Sequence, residues 1–150
     1  MKIAVAADHA GREDKTWLAA RLRELGHEAT DFGTNSAEPC DYPDFAVAAA
    51  AAVADGRCDQ AVLVCGTGIG MSIAANKVKG VRAAACQCVE AAKYARAHND
   101  ANVLCMGSRL TGREAMDAIL AAWLATPFEG GRHARRVNKI NSLDREGACR

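Results

Sequence analysis

The stretch from Val62 to Lys77 reads VLVCGTGIGMSIAANK. It opens as an apolar run, breaks at three alternating glycines and resumes with helix formers. A short apolar run bounded by glycines fits a strand buried on both faces, and strand, glycine turn and helix together make half of a βαβ unit. The rest of the chain repeats that rhythm. Strands are expected at Lys2–Ala7, His27–Phe32, Gln60–Cys65, Val81–Cys86 and Asn102–Met106. Helices are expected at Arg12–Leu25, Tyr42–Ala54, Gly70–Val78, Val89–Ala97, Thr111–Ala125 and His133–Arg145. Gly26, Gly56 and Gly80 stand where a left-handed residue would end the first three helices. In the helix from Thr111, the positions Ala115, Ile119, Ala122 and Trp123 recur at helical spacing and are expected to form its packed face. The expected fold is α/β, with residues 1–150 forming one domain. Its core is a doubly wound, Rossmann-like sheet of five parallel strands, with helices on both faces and a further C-terminal helix.

A chain of 150 residues has enough interior to fold without a staple or a metal. Nineteen Lys and Arg against eighteen Asp and Glu leave a net charge of +1, so the overall field favours neither nucleic acid nor a membrane as partner. The start, MKIAVAADHAGRED, turns charged too soon for a secretory leader. The longest apolar stretch, Phe45–Ala54, falls far short of the ~20 residues that span a bilayer. The seven cysteines are Cys40, Cys58, Cys65, Cys86, Cys88, Cys105 and Cys149. Their odd number, and the place of several in apolar runs, point to buried, reduced thiols in a cytoplasmic protein. Cys86-Gln87-Cys88 lacks a second pair at zinc-ligand spacing, and no metal is expected.

In a doubly wound fold, ligands bind outside the carboxyl ends of the strands. The first strand runs into Asp8-His9 and the third into Cys65-Gly66-Thr67-Gly68-Ile69-Gly70; His98-Asn99 is expected near the same rim. Glycines at 66, 68 and 70 free the backbone to aim amides into one concavity, suited to an anion or a developing oxyanion. A P-loop would need Gly-Lys-Ser/Thr, and a dinucleotide fingerprint would need G-x-G-x-x-G after the first strand. Neither is present. A thiol beside a helix start, as Cys65 is expected to be, is commonly depressed in pKa and can act as base or nucleophile. His9 and His98 offer acid–base groups near neutral pH. Arg132 and Arg136, four apart, would share a helix face with forked donors suited to phosphate. Tyr42 adds a hydroxyl on backbone stiffened by Pro43.

Five segments then occur together and in order: DHAG from Asp8, DYPD from Asp41, CGTGIGMSIAANK from Cys65, HNDANVL from His98 and GGRHARRV from Gly130. On these motifs the sequence resembles the type B ribose-5-phosphate isomerases, in the sugar-phosphate isomerase family that includes the galactose-6-phosphate isomerase subunits. The resemblance implies aldose–ketose isomerisation of a sugar phosphate, without metal or cofactor, by ring opening and proton transfer between C1 and C2 through an enediolate. It implies Cys65 as the base, Thr67 with the amides of Gly66, Gly68 and Gly70 as stabilisers of the enediolate oxygen, and His98 as ring-opening acid assisted by Asp8. It further implies that His9, Arg109, Arg132 and Arg136 hold the phosphate, that Asn99 and Tyr42 line the sugar, and that a homodimer or dimer of dimers shares each site between subunits. Ribose 5-phosphate is the first expected substrate; allose 6-phosphate or a tetrose phosphate is the alternative. His98-Asn99 argues against a galactose-6-phosphate subunit, and Cys65 against the branch with an acidic base. Two features depart from the pattern: Arg12, directly after DHAG, and Cys86-Gln87-Cys88. A receiver-type signalling module would share the fold but wants an aspartate where this chain has Cys65.

Overall fold

A computed structural model describes residues 1–144. The expected helix end at Arg145, and Cys149, lie outside the described residues. In chain order the elements are β1 (Lys2–Ala7), α1 (Arg12–Glu24), β2 (Glu28–Asp31), α2 (Tyr42–Ala54), β3 (Gln60–Cys65) and α3 (Ile69–Ala75). They continue with β4 (Ala83–Ala85), α4 (Val89–Asn99), β5 (Val103–Gly107), α5 (Arg113–Ala125) and α6 (Arg132–Ser142). The strands form one sheet in the order β2-β1-β3-β5-β4, and every pairing is parallel. The fold is the expected α/β sheet of five strands with helices on both faces.

Each central strand is buried along its length because its alternate residues enter two different cores. Ile3, Val5, Val62, Val64, Leu104 and Met106 meet Leu18, Leu22, Ala95, Ile119 and Trp123 from α1, α4 and α5. Ala4, Ala6, Ala61, Leu63 and Val103 meet Ala46, Ala49, Ala50, Met71 and Ala75 from α2 and α3. Alanine dominates this second core, and small side chains let α2 lie close to the sheet. The packed face of α5 differs from the expectation. Met116, Ile119, Leu120 and Trp123 are buried, whereas Ala115 is exposed and Ala122 only half-buried. The larger side chains bury more apolar area and set the rotation of the helix. Trp123 still finds a polar partner, its indole N–H donating to Gln60 Oε1 at 2.7 Å.

Some boundaries move for local reasons. β4 keeps only three of the six expected residues. It is an edge strand, and the Asn76 side chain takes up both the Ala83 N–H (2.8 Å) and the Ala83 carbonyl (2.9 Å) on its open side. α5 starts at Arg113 rather than Thr111, because Thr111 N–H turns back to the Gly107 carbonyl at 2.9 Å.

Candidate active site

The topological switch of the sheet lies between β1 and β3, whose connections leave in opposite directions. There the carboxyl ends of the strands open into a cleft of about 470 Å³. Asp8 and His9 arrive from the end of β1, Cys65, Gly66, Thr67 and Gly70 from the end of β3, Arg109 from beyond β5, and Tyr42 from the first turn of α2. Gly68 is buried beside them.

Cys65 ends β3 with its side chain at the cleft floor, and Gly68 N–H donates to its Sγ at 3.2 Å. That contact fixes the sulfur and strengthens when sulfur carries charge. Burial pushes the Cys86 thiol up to about 11 and the fully buried Cys105 thiol well above the usual range, so both stay protonated. Burial raises Cys58 as well. Among the described cysteines, all of them free, Cys58, Cys65, Cys86 and Cys105 are buried; Cys40 is half-buried and Cys88 exposed.

The glycine loop is shaped by contact as well as by conformation. Gly68 has φ of +76°, and a Cβ there would lie 2.9 Å from the Met106 carbonyl carbon. Gly68→Ala is therefore expected to destabilise the fold by at least about 1–3 kcal/mol from left-handed strain alone, read as a lower denaturant midpoint. At Gly70 the obstacle is functional: a Cβ would sit 2.6 Å from the Tyr42 ring, so only glycine lets that ring lie against the start of α3. Thr67 Oγ1 accepts from Ile69 N–H at 3.4 Å.

The remaining cleft groups are oriented by backbone. Asp8, 6% exposed, accepts from the Ala10 and Gly11 N–H groups through Oδ1 at 3.0 and 3.1 Å, while Oδ2 has no partner among the described residues. His9 Nδ1 accepts from Cys40 N–H at 3.2 Å, which puts the proton of a neutral ring on Nε2 and makes that nitrogen the available donor. Sequence inspection missed this role of Cys40, and also Ser108. The Ser108 hydroxyl lies 3.2 Å from both the Ala10 and Cys65 carbonyls and ties together the segments after β1, β3 and β5.

His98, Asn99, Arg132 and Arg136 do not line this cleft. His98 and Asn99 were expected at the same rim, and the structure places them elsewhere. The end of α4 leads into the start of β5, so in a parallel sheet it lies at the amino edge, opposite Cys65. β5 alone, at five residues, separates the two edges by about 16 Å. The second group has its own order. The His98 and His133 rings stack at 4.1 Å and within 3° of parallel, with Tyr94 on the other side of His98 at 5.0 Å. Glu129 Oε2 lies 3.8 Å from His98 Nε2 and 3.6 Å from His133 Nε2. Burial pushes the His133 imidazole below the usual histidine range, with His98 and Arg132 adding to the effect, which favours the neutral ring at pH 7. These three side chains are close enough to suggest a metal site, but parallel rings aim their lone pairs side by side rather than at one point. The end of α4 is held by Arg82, whose guanidinium donates to the Asn99 carbonyl at 3.2 Å and the Asp100 carbonyl at 2.8–2.9 Å. Arg132 and Arg136 project from α6, and the segment leading into it is joined to α4 by Glu129 N–H donating to the Ala97 carbonyl at 3.0 Å. Glu129 was legible in principle, being four residues before His133, but its partner His98 lies 31 residues away.

A sequence profile of the family described as Ribose/Galactose Isomerase matches residues 3–140. The chain belongs to this family. Its relatives include ribose-5-phosphate isomerase B of Escherichia coli, 48% identical over 95% of this chain and 96% of that protein. They also include a D-erythrulose-4-phosphate isomerase of Pectobacterium atrosepticum, 40% identical over 97% of each. Among solved structures, ribose-5-phosphate isomerase B of Clostridium thermocellum superposes with a TM-score of 0.96 at 46% identity, covering 99% of this chain and all of that one. No helix among the described residues is long and apolar enough to cross a membrane.

Proposed function

We infer that the protein interconverts D-ribose 5-phosphate and D-ribulose 5-phosphate. The observation that carries this reading is Cys65, with its amide-lined glycine loop, at the switch-point cleft of a chain 48% identical to ribose-5-phosphate isomerase B. As the ring opens, His98 gives a proton to the ring oxygen while Asp8 takes the proton that the anomeric hydroxyl loses. The Cys65 thiolate then takes the proton from C2, and the electron pair moves through C1 to leave an enediolate. Thr67 and the amides of the Gly66–Gly70 loop stabilise its oxygen; one such donor can contribute about 2.7–4 kcal/mol. Cys65 returns the proton to C1 while the O2 proton passes to O1, and the C2 carbonyl of the ketose forms. His9, through Nε2–H, acts with Arg109, Arg132 and Arg136 to hold the phosphate, and Tyr42 and Asn99 line the sugar. The scheme calls on no cofactor.

The two residue groups lie at opposite edges of one sheet, so a complete site requires His98, Asn99, Arg132 and Arg136 from a second copy. A homodimer, alone or paired into a tetramer, is part of this proposal. Exposed apolar side chains flank both groups, as such an interface would need: Tyr42, Ile69 and Ile73 at the Cys65 cleft, Tyr94 against His98, and Ile140 on α6. A cytoplasmic location is also proposed, supported by the free thiols. The second substrate reading, a tetrose phosphate, rests on the 40% identity to the D-erythrulose-4-phosphate isomerase. Turnover on ribose 5-phosphate, allose 6-phosphate and erythrose 4-phosphate decides between them. The highest kcat/KM is expected on ribose 5-phosphate, and good activity on another sugar with none on ribose 5-phosphate would reject the assignment.

A further inference from the structure

Beside the Cys65 cleft, and sharing His9, Ala10 and Arg109 with it, lies a second, more open pocket of about 560 Å³. Its other lining residues include Arg12, Glu13, Asp14 and Ser108. Arg12 opens α1, and its side chain is 35% exposed. The carboxylate nearest to it, Glu13, stands at 3.8 Å and is 78% exposed, too far for a hydrogen bond and well screened by water. Asp14 is already neutralised by Arg113 at 3.0 Å. Arg109 donates no side-chain hydrogen bond among the described residues, although its backbone is fixed by N–H donation to the Gly66 carbonyl at 3.0 Å. Two guanidinium groups without a close counter-charge therefore face a common pocket with the donor Nε2 of His9. Arg12 and Arg109 are far apart in the chain, and their meeting follows from β1 and β5 both lying beside β3.

We propose that Arg12 is a substrate-binding residue, supplying a second forked cation to a pocket, shared with His9 and Arg109, that takes the phosphomonoester end of the sugar. The inference rests on the sugar-phosphate reading above and adds a residue to it. A dianionic phosphate offers acceptor oxygens to two planar forks and one imidazole N–H at once, whereas a neutral sugar hydroxyl satisfies none of their charge. Because the phosphate does not react, Arg12 stabilises ground state and transition state alike, so its loss appears in KM rather than kcat.

The test uses the full chain carrying Arg12→Leu, which keeps part of the apolar stem, and Arg12→Lys, which keeps the charge but not the fork. Binding of inorganic phosphate is measured by calorimetry alongside turnover of ribose 5-phosphate. Arg12→Leu is expected to weaken phosphate binding and raise KM by about tenfold each, with kcat within about twofold, and Arg12→Lys to recover part of the loss. Phosphate affinity and KM at wild-type values in Arg12→Leu would overturn the proposal, as would a fall in kcat with KM unchanged. A wild-type protein that does not turn over ribose 5-phosphate, but binds phosphate in an Arg12-dependent way, would reject the substrate assignment and uphold the pocket.

Discussion

Cys65→Ala is expected to lower kcat by about three orders of magnitude while leaving sugar-phosphate affinity near wild type. The carboxylate and the imidazole of the cleft are each already engaged at one atom. Asp8 spends Oδ1 on the Ala10 and Gly11 amides, and His9 Nδ1 is occupied by the Cys40 N–H. Cys105, the nearest buried thiol on the neighbouring strand, is held protonated by complete burial. The sulfur makes no contact with a phosphate site formed by His9 and the arginines, so binding should survive its removal. The measurement is exchange of the substrate's C2 proton with deuterated solvent, paired with calorimetric binding of ribose 5-phosphate. Exchange should vanish together with turnover. Turnover retained in Cys65→Ala would remove this residue as the base and shift attention to Asp8.

Mixing two inactive variants should restore activity, and this is the sharpest consequence of the opposed residue groups. Cys65→Ala and His98→Asn are each expected to be nearly inactive alone. If each site takes Cys65 from one copy and His98 from another, a mixed dimer contains one site with both native residues and one with neither. After dissociation and random re-association, half of the dimers are mixed, so recovery of about a quarter of wild-type activity is expected. A site closed within one chain would leave every site carrying one defect, and the mixture would stay inactive. The two groups lie at opposite sheet edges, the length of a central strand apart, which is why recovery is the expected result.

Much of the architecture was readable from the chain. β1, β3 and α2 fall on the expected residues because their signals are local: apolar runs for the strands, and Pro43 at the first turn for the helix. Gly26 and Gly56 do adopt the left-handed conformation expected after α1 and α2. The packed face of α5 was less legible, since helical periodicity alone does not choose between neighbouring stripes when alanines occupy one of them. Met116 and Leu120 won by the area they bury. The site divides in the same way. Asp8, His9, Cys65 and the glycine loop were legible because each ends or follows a strand, and the carboxyl ends of parallel strands all gather at one edge.

The sequence by itself determined the parallel α/β sheet, the Cys65 glycine loop at the end of its third strand, and membership of a sugar-phosphate isomerase family through five ordered motifs. Only the tertiary structure decided which residues share a wall. Each helix returns the chain across the sheet, so His98, which precedes β5, goes to the amino edge, while Arg109, which follows the same strand, goes to the carboxyl edge. The same geometry brings Arg12 beside Arg109 and leaves His98 stacked on His133, far from Cys65. Spacing along the chain carries no record of that direction, because it arises from how successive strands align side by side.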